Sequence, residues 1–164
     1  MSAPAYEHNG APCTREAFYA IACDPRRSVA VEACAGAGKT WMLVSRILRA
    51  LLEGAEPQEI LAITFTKKAA GEMRERLQQW LSDFARPRPA DPDKGTPAET
   101  DAAWQQRLVN ELVMRGIEPQ AALNQREQLQ KLYLALLAYG RTVQIRTFHS
   151  WFAALLRSAP LQVL

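Results

Sequence analysis

Cysteine is scarce in this sequence, and the little there is forms no pattern. Cys13, Cys23 and Cys34 are odd in number, and no two of them stand at a Cys-x-x-Cys or metal-binding spacing. That argues against a disulfide framework or a zinc module, and reduced thiols are the simple reading. Long apolar runs are also missing. No stretch approaches the ~18 residues that a membrane helix needs, and Met1-Ser2-Ala3-Pro4-Ala5-Tyr6-Glu7 lacks the charged-then-apolar pattern of a leader. Cytoplasmic residence without a membrane partner is the resulting expectation. A large excess of either charge is absent as well: 20 Lys and Arg against 17 Asp and Glu leave +3, compatible with a nucleic-acid partner without demanding one. No internal repeat is present. What remains is ordinary globular material, 164 residues with 48% hydrophobic and 23% charged content, enough for one α/β domain with a real core.

The stretch that organises the rest is Ala33-Cys34-Ala35-Gly36-Ala37-Gly38-Lys39-Thr40. It follows the apolar run Ser28-Val29-Ala30-Val31-Glu32, read as a strand, and opens a helical pattern beginning Trp41-Met42-Leu43-Val44. Strand, glycine-rich turn and Gly-Lys-Thr at a helix start make a P-loop arrangement, although Ala33 stands where the strict pattern has glycine. Small residues let the backbone wrap phosphate oxygens, so that successive N–H groups and the positive helix end face the anion. Lys39 is suited to the β- and γ-phosphates of ATP, and the Thr40 hydroxyl to Mg²⁺.

Residues 1–13 read as an irregular surface arm, and Thr14 as the N-cap of a short helix over 15–22. Beyond the loop, Val44, Ile47, Leu48, Leu51 and Leu52 form a helical stripe that stops near Gly54. Glu59 to Phe65 reads as a strand apolar on successive residues, hence covered on both faces. The helix after it puts Met73, Leu77, Trp80, Leu81 and Phe84 on one face, with Lys67, Lys68, Arg74, Glu75 and Arg76 largely off it. The prolines of 85–100 mark a loop or linker, after which two helical patterns end at Gly116 and Gly140. Arg141 to Thr147 alternates as a strand does. His149 to Arg157 reads as helix, with Phe152, Leu155 and Leu156 facing inward. Alternating strands and helices give an α/β class. We expect a parallel sheet with flanking helices, incomplete, carrying an all-helical insertion: residues 1–84, an insertion over 85–140, and a return to the sheet over 141–164.

Two strand ends carry further chemistry. One runs into Thr64-Phe65-Thr66-Lys67 and the other into Thr147-Phe148-His149-Ser150. Both set hydroxyls, an aromatic ring and a helix start at the carboxyl end of a parallel strand, the edge where such sheets bind ligands. Hydroxyls, Lys67 and helix-start amides suit backbone phosphates, and an exposed Phe65 suits a stacked base. The bland alternatives are Phe65 in the core, His149 as a cap or core residue, Arg74 and Arg76 as a solvated helix face, and Trp41, Trp80, Trp104 and Trp151 as packing residues.

Taken in order, residues 33–40, the run Ile60-Leu61-Ala62-Ile63-Thr64-Phe65-Thr66-Lys67-Lys68-Ala69-Ala70-Gly71-Glu72-Met73-Arg74-Glu75-Arg76, and Thr147-Phe148-His149-Ser150 resemble motifs I, Ia and Ib of superfamily 1 DNA helicases of the UvrD/Rep type. The resemblance covers residues 14–158, and the long interval between the second and third motifs is more similar to the RecB/AddA helicase–exonuclease branch. It implies a RecA-like P-loop NTPase fold, an ATP and Mg²⁺ site over residues 33–40, and single-stranded DNA contacts from Thr64, Phe65, Thr66, Thr147, Phe148 and His149. It also implies 3′-to-5′ movement, a role in double-strand break repair, and a possible partner in the form of a second helicase–nuclease subunit. Members of this type read adenine through an upstream glutamine, and the nearest counterpart here is Thr14. After Thr40 no apolar strand ends in Asp-Glu, the acidic element that hydrolysis needs. The expectation is therefore the N-terminal portion of a longer helicase, inactive alone and prone to aggregation through uncovered sheet surface. A small P-loop phosphotransferase and a non-catalytic nucleic-acid-binding module are the alternatives.

Overall fold

The computed structural model describes residues 5–36, 38–139 and 142–159. In chain order these form β1 (Glu7–His8), β2 (Ala11–Pro12), α1 (Arg15–Ala22), α2 (Lys39–Leu52), β3 (Leu61–Thr64), α3 (Lys67–Phe84), α4 (Asp101–Met114), α5 (Pro119–Leu123), α6 (Arg126–Tyr139), β4 (Gln144–Thr147) and α7 (Phe148–Ser158). Gly140, the expected end of the second inserted helical pattern, and Arg141, the expected start of the last strand, lie outside the described residues.

Threonine begins four of the helices for one physical reason. The hydroxyls of Thr14, Thr66, Thr100 and Thr147 accept from the backbone N–H three residues on, at 3.1–3.2 Å. Each satisfies a donor that the first turn leaves unpaired. Asn9 and Gly10 both take positive φ, 51° and 78°, the turn that a two-residue hairpin favours. Part of the expected irregular arm is thus a tight hairpin, with Glu7 opposite Pro12 and His8 opposite Ala11.

The parallel ladder is short but in clear register. Leu61, Ala62, Ile63 and Thr64 lie opposite Gln144, Ile145, Arg146 and Thr147. The connection between them runs through α3, α4, α5 and α6. The result is an α/β arrangement in which two strands from distant parts of the sequence end side by side.

Three sequence expectations are corrected here. β3, expected to be covered on both faces, leaves Leu61 exposed and Ala62, Ile63 and Thr64 only half-buried, since an apolar run does not itself supply what packs on its two faces. Ser28–Glu32 is not a strand. Among the described residues no strand lies beside it, so its backbone groups join no ladder, and apolar composition alone does not make one. Phe152, Leu155 and Leu156, expected to face inward, are 52, 47 and 60% exposed. Their helical spacing was real, but period assigns an apolar face without saying what covers it.

The main core is formed by the facing stripes of α2 and α3. Val44, Ile47, Leu48 and Leu51 meet Met73, Leu77, Leu81 and Phe84, and Leu108, Leu112 and Leu129 close over them from α4 and α6. Trp104 is buried, and its indole N–H donates to the Phe84 carbonyl oxygen at 3.0 Å. The proline-rich 85–100 stretch is held by ion pairs. Arg107 reaches Glu99 at 2.7 Å and Asp83 at 3.2 Å, and Arg88 reaches Asp83 at 2.8 Å. The Arg107 guanidinium holds the Glu99 carboxyl down at about 2.

Candidate nucleotide and nucleic-acid site

The glycine-rich loop delivers the chain into α2 with Lys39 as the first helical residue. Gly36 and Gly38 sit at φ 78° and 83°, the left-handed region that other residues avoid. Ala33, Cys34, Ala35 and Lys39 are exposed and Thr40 is half-buried, while Ala37 lies outside the described residues. The Lys39 ammonium donates to the carbonyl oxygens of Ala33 and Cys34 at 2.7 and 2.8 Å. Its charge is thereby held over the mouth of the loop. No acidic residue occupies the first turn of α2, so the positive helix end carries no competing carboxylate. Backbone amides, a helix start and an ammonium placed together in this way are the groups from which anion-binding sites are built.

A cavity of about 720 Å³ opens against this loop. Ala33, Cys34, Gly38 and Lys39 line it on one side, Tyr6 and Tyr19 on another. Burial, and then the neighbouring Tyr6 phenol, push the Tyr19 phenol up, so its hydroxyl is neutral at ordinary pH. The Tyr19 ring stands edge-on to Trp41 at 5.0 Å. Thr14, at the position where the resemblance places an adenine-reading glutamine, is instead the cap of α1.

The second part of the site follows from strand register. Thr64 and Thr147 are the last paired residues of β3 and β4, so Phe65 and Phe148 leave the sheet side by side. Their rings lie 5.4 Å apart at 35°. Phe65 is 82% exposed and is no core residue. Phe152 stacks on Phe148 at 6.3 Å and 23°, extending the aromatic surface along α7. His149 is exposed in the first turn of α7, Lys67 is exposed at the start of α3, and Thr66 is the exposed cap of α3. Thr64 is half-buried. Thr147 is buried, and its hydroxyl accepts from the Ser150 N–H at 3.2 Å. The structure therefore gathers residues 64–67 and 147–149 on one edge, where Phe65, Thr66, Lys67, Phe148 and His149 are exposed. Flat rings flanked by two helix starts and a lysine are suited to stacked bases and a phosphate backbone. Arg74 is exposed, as expected of a solvated face, and it also donates to the Ile145 carbonyl oxygen at 2.8 Å, tying α3 to β4.

Comparison with known proteins places the chain in a family. The profile of the UvrD/REP helicase N-terminal domain matches residues 13–163, nearly the whole chain. The chain belongs to the UvrD/REP helicase N-terminal domain family. The ATP-dependent helicase/nuclease A subunit of Lactobacillus gasseri is 48% identical over 60 residues, 37% of this chain and 5% of that protein. Proteins of the same name from Latilactobacillus sakei and Streptococcus sanguinis are each 46% identical over 55 residues, 34% of this chain and 6% and 4% of theirs. The matched part thus spans only a small fraction of these relatives' length. No solved structure matches.

In this UvrD/REP-type chain, sequence reasoning missed Arg115. It is 1% exposed beyond the end of α4, with its guanidinium over the rings of Trp80 at 4.0 Å, Trp41 at 4.9 Å and Phe84 at 5.1 Å. Burial pushes its pKa down, and Glu111 at 2.6 Å opposes that shift. Its partners come from three separate segments, so no local pattern announces it.

Proposed function

We propose that this chain is the ATP-binding, single-stranded-DNA-contacting N-terminal part of an ATP-dependent 3′-to-5′ DNA helicase. The whole protein would be a helicase–exonuclease acting in double-strand break repair and recombination, partnered by a second helicase–nuclease subunit. The observation that carries this reading is the pairing of Phe65 and Phe148 at two adjacent strand ends, in a chain whose glycine-rich turn runs into the start of α2 with Gly36 and Gly38 at positive φ. A RecA-like sheet, divided into residues 1–84, a helical insertion at 85–140 and a return at 141–164, belongs to the same proposal, as does cytoplasmic residence. No described helix is long and apolar enough to cross a membrane.

The residues present fit Mg-ATP: two glycines at positive φ, a helix start free of carboxylates, an exposed ammonium and an adjoining cavity. The backbone of 33–38 and Lys39 would hold the phosphates, and the Thr40 hydroxyl would hold the metal. Bound there, Mg-ATP supplies the free energy of γ-phosphate release. Lys39, released from the Ala33 and Cys34 carbonyls, neutralises phosphate charge. Phe65 and Phe148 accept bases by stacking, which is indifferent to sequence and so suits a motor that must grip every base in turn. Lys67, His149 and the helix starts at Thr66 and Thr147 hold the backbone phosphates beside them.

The test is Lys39→Ala, read by anisotropy with a fluorescent ATP analogue and a fluorescent oligo(dT). Nucleotide affinity falls by about tenfold or more, the scale of a lost charge-assisted contact, while oligo(dT) affinity is retained. Wild-type nucleotide affinity in the variant overturns the reading.

A further inference from the structure

The Arg115 side chain bridges α2 and α3, the helices that follow the two sequence motifs of the proposed site. Trp41 lies two residues beyond Lys39 on α2, whereas Trp80 and Phe84 lie on α3, the helix that begins directly after Phe65 and Thr66. The Arg115 guanidinium packs against all three rings. Trp41 and Trp80 themselves stand edge-on at 6.0 Å, and Trp41 continues to Tyr19 at the wall of the nucleotide cavity. An unbroken run of packed groups thus leads from the wall of the nucleotide cavity to the C-terminal part of α3, the helix whose first turn follows Phe65 and Thr66.

Arg115 is also fixed from behind. Its Nη1 donates to the Glu111 carboxylate at 2.6 Å and to the Glu111 carbonyl oxygen at 2.7 Å. Its own carbonyl accepts from Arg49 on α2 at 3.3 Å, and Arg49 donates as well to the Ala20 carbonyl oxygen. The next residue, Gly116, takes φ 83°, and a Cβ there would meet the Ala20 Cα at 2.6 Å. The end of α4 is therefore pressed directly onto α1, a contact that any side chain would push apart. Burial of Arg115 leaves its Nε without a hydrogen-bond partner among the described residues. A purely apolar side chain would avoid that cost, so retention of a cation here asks for a reason beyond core filling.

We infer that Arg115 is a positioning residue that couples the nucleotide loop to the nucleic-acid rim through the Trp41–Arg115–Trp80 stack. A planar cation between aromatic faces has a definite best geometry, so a shift of α2 on nucleotide binding re-seats α3 rather than sliding past it. The inference rests on the proposed function, because it requires both ligands to bind. Coupling of this kind is reciprocal: each ligand changes the affinity of the other by the same factor.

The experiment measures that factor in the intact protein. Affinity for a fluorescent ATP analogue with Mg²⁺ is determined with and without saturating oligo(dT), and the converse with labelled oligo(dT). Wild type is expected to show a factor of roughly fivefold or more. Arg115→Met brings it close to one while each ligand alone binds within about threefold of wild type, a split that general loosening of the core does not produce. Arg115→Lys keeps the charge and the Glu111 pair but loses the flat stacking surface, and the factor falls at least about threefold. If Arg115→Met fails to melt cooperatively, the lysine variant decides. A wild-type factor retained in the folded variants, or a wild-type protein that binds both ligands without coupling, overturns the inference and leaves the proposed function standing. A wild-type protein that binds neither ligand overturns both.

Discussion

Phe65 and Phe148, far apart in the sequence, hold their rings 5.4 Å apart because Thr64 and Thr147 close the same parallel ladder. Exposed aromatic pairs have a hydrophobic cost that folding alone does not repay. Phe65→Ala is expected to leave the melting temperature nearly unchanged and to weaken oligo(dT) binding by about 1–3 kcal/mol, the value of one stacked base. Phe65→Trp is expected to keep most of the affinity. Equilibrium anisotropy at fixed salt checks both.

Cys34 and Cys23 differ sharply in access. Cys34 is exposed in the glycine-rich loop, whereas Cys23 is buried, and burial pushes its thiol up to about 11. Iodoacetamide at neutral pH is expected to label Cys34 well before Cys23, because the reactive species is the thiolate. Mg-ATP is expected to slow labelling at Cys34 and to leave the rate at Cys13 unchanged. Peptide mass spectrometry over a time course reads all three sites.

How much of this was legible in the sequence depends on the distance over which each feature is specified. The Thr14 cap, the α2 and α3 stripes and the hydroxyl–aromatic strand ends are written within a few residues, and they stand where their spacing puts them. Ser28–Glu32 has strand composition, but a strand also needs a neighbour, and no short window of sequence contains one. The same applies to Phe152, Leu155 and Leu156, whose period is right and whose cover is not encoded nearby. The Arg115 cluster joins residues 41, 80, 84 and 115 and became visible only with the fold. At the site, the loop and the rim were legible as motifs, while the Tyr6–Tyr19 wall of the cavity was not.

Acid should release the 85–100 stretch. Glu99 lies at about 2 in the folded protein against an ordinary 4.5, first because Arg107 hydrogen-bonds its charged form. A depressed carboxylate gives stability that is complete above the unfolded value and disappears as pH falls through the folded one. The contribution of Glu99 is therefore full above about pH 4.5 and gone near pH 2. In urea melts, Glu99→Gln is expected to be less stable than wild type at pH 7, with the gap narrowing as pH falls through that window. A gap of constant size down to pH 2 contradicts this role for the Arg107 pair.

The central claim is that two neighbouring strand ends form the track for a single strand, and photocrosslinking addresses it most directly. Oligo(dT) carrying 5-iododeoxyuridine is bound to the protein, irradiated and mapped by mass spectrometry. The expected adducts fall on Phe65, Phe148 and His149, and they decline when unlabelled oligo(dT) competes. Adducts confined to the 85–140 helices, or none at the rim despite measurable binding, contradict the account.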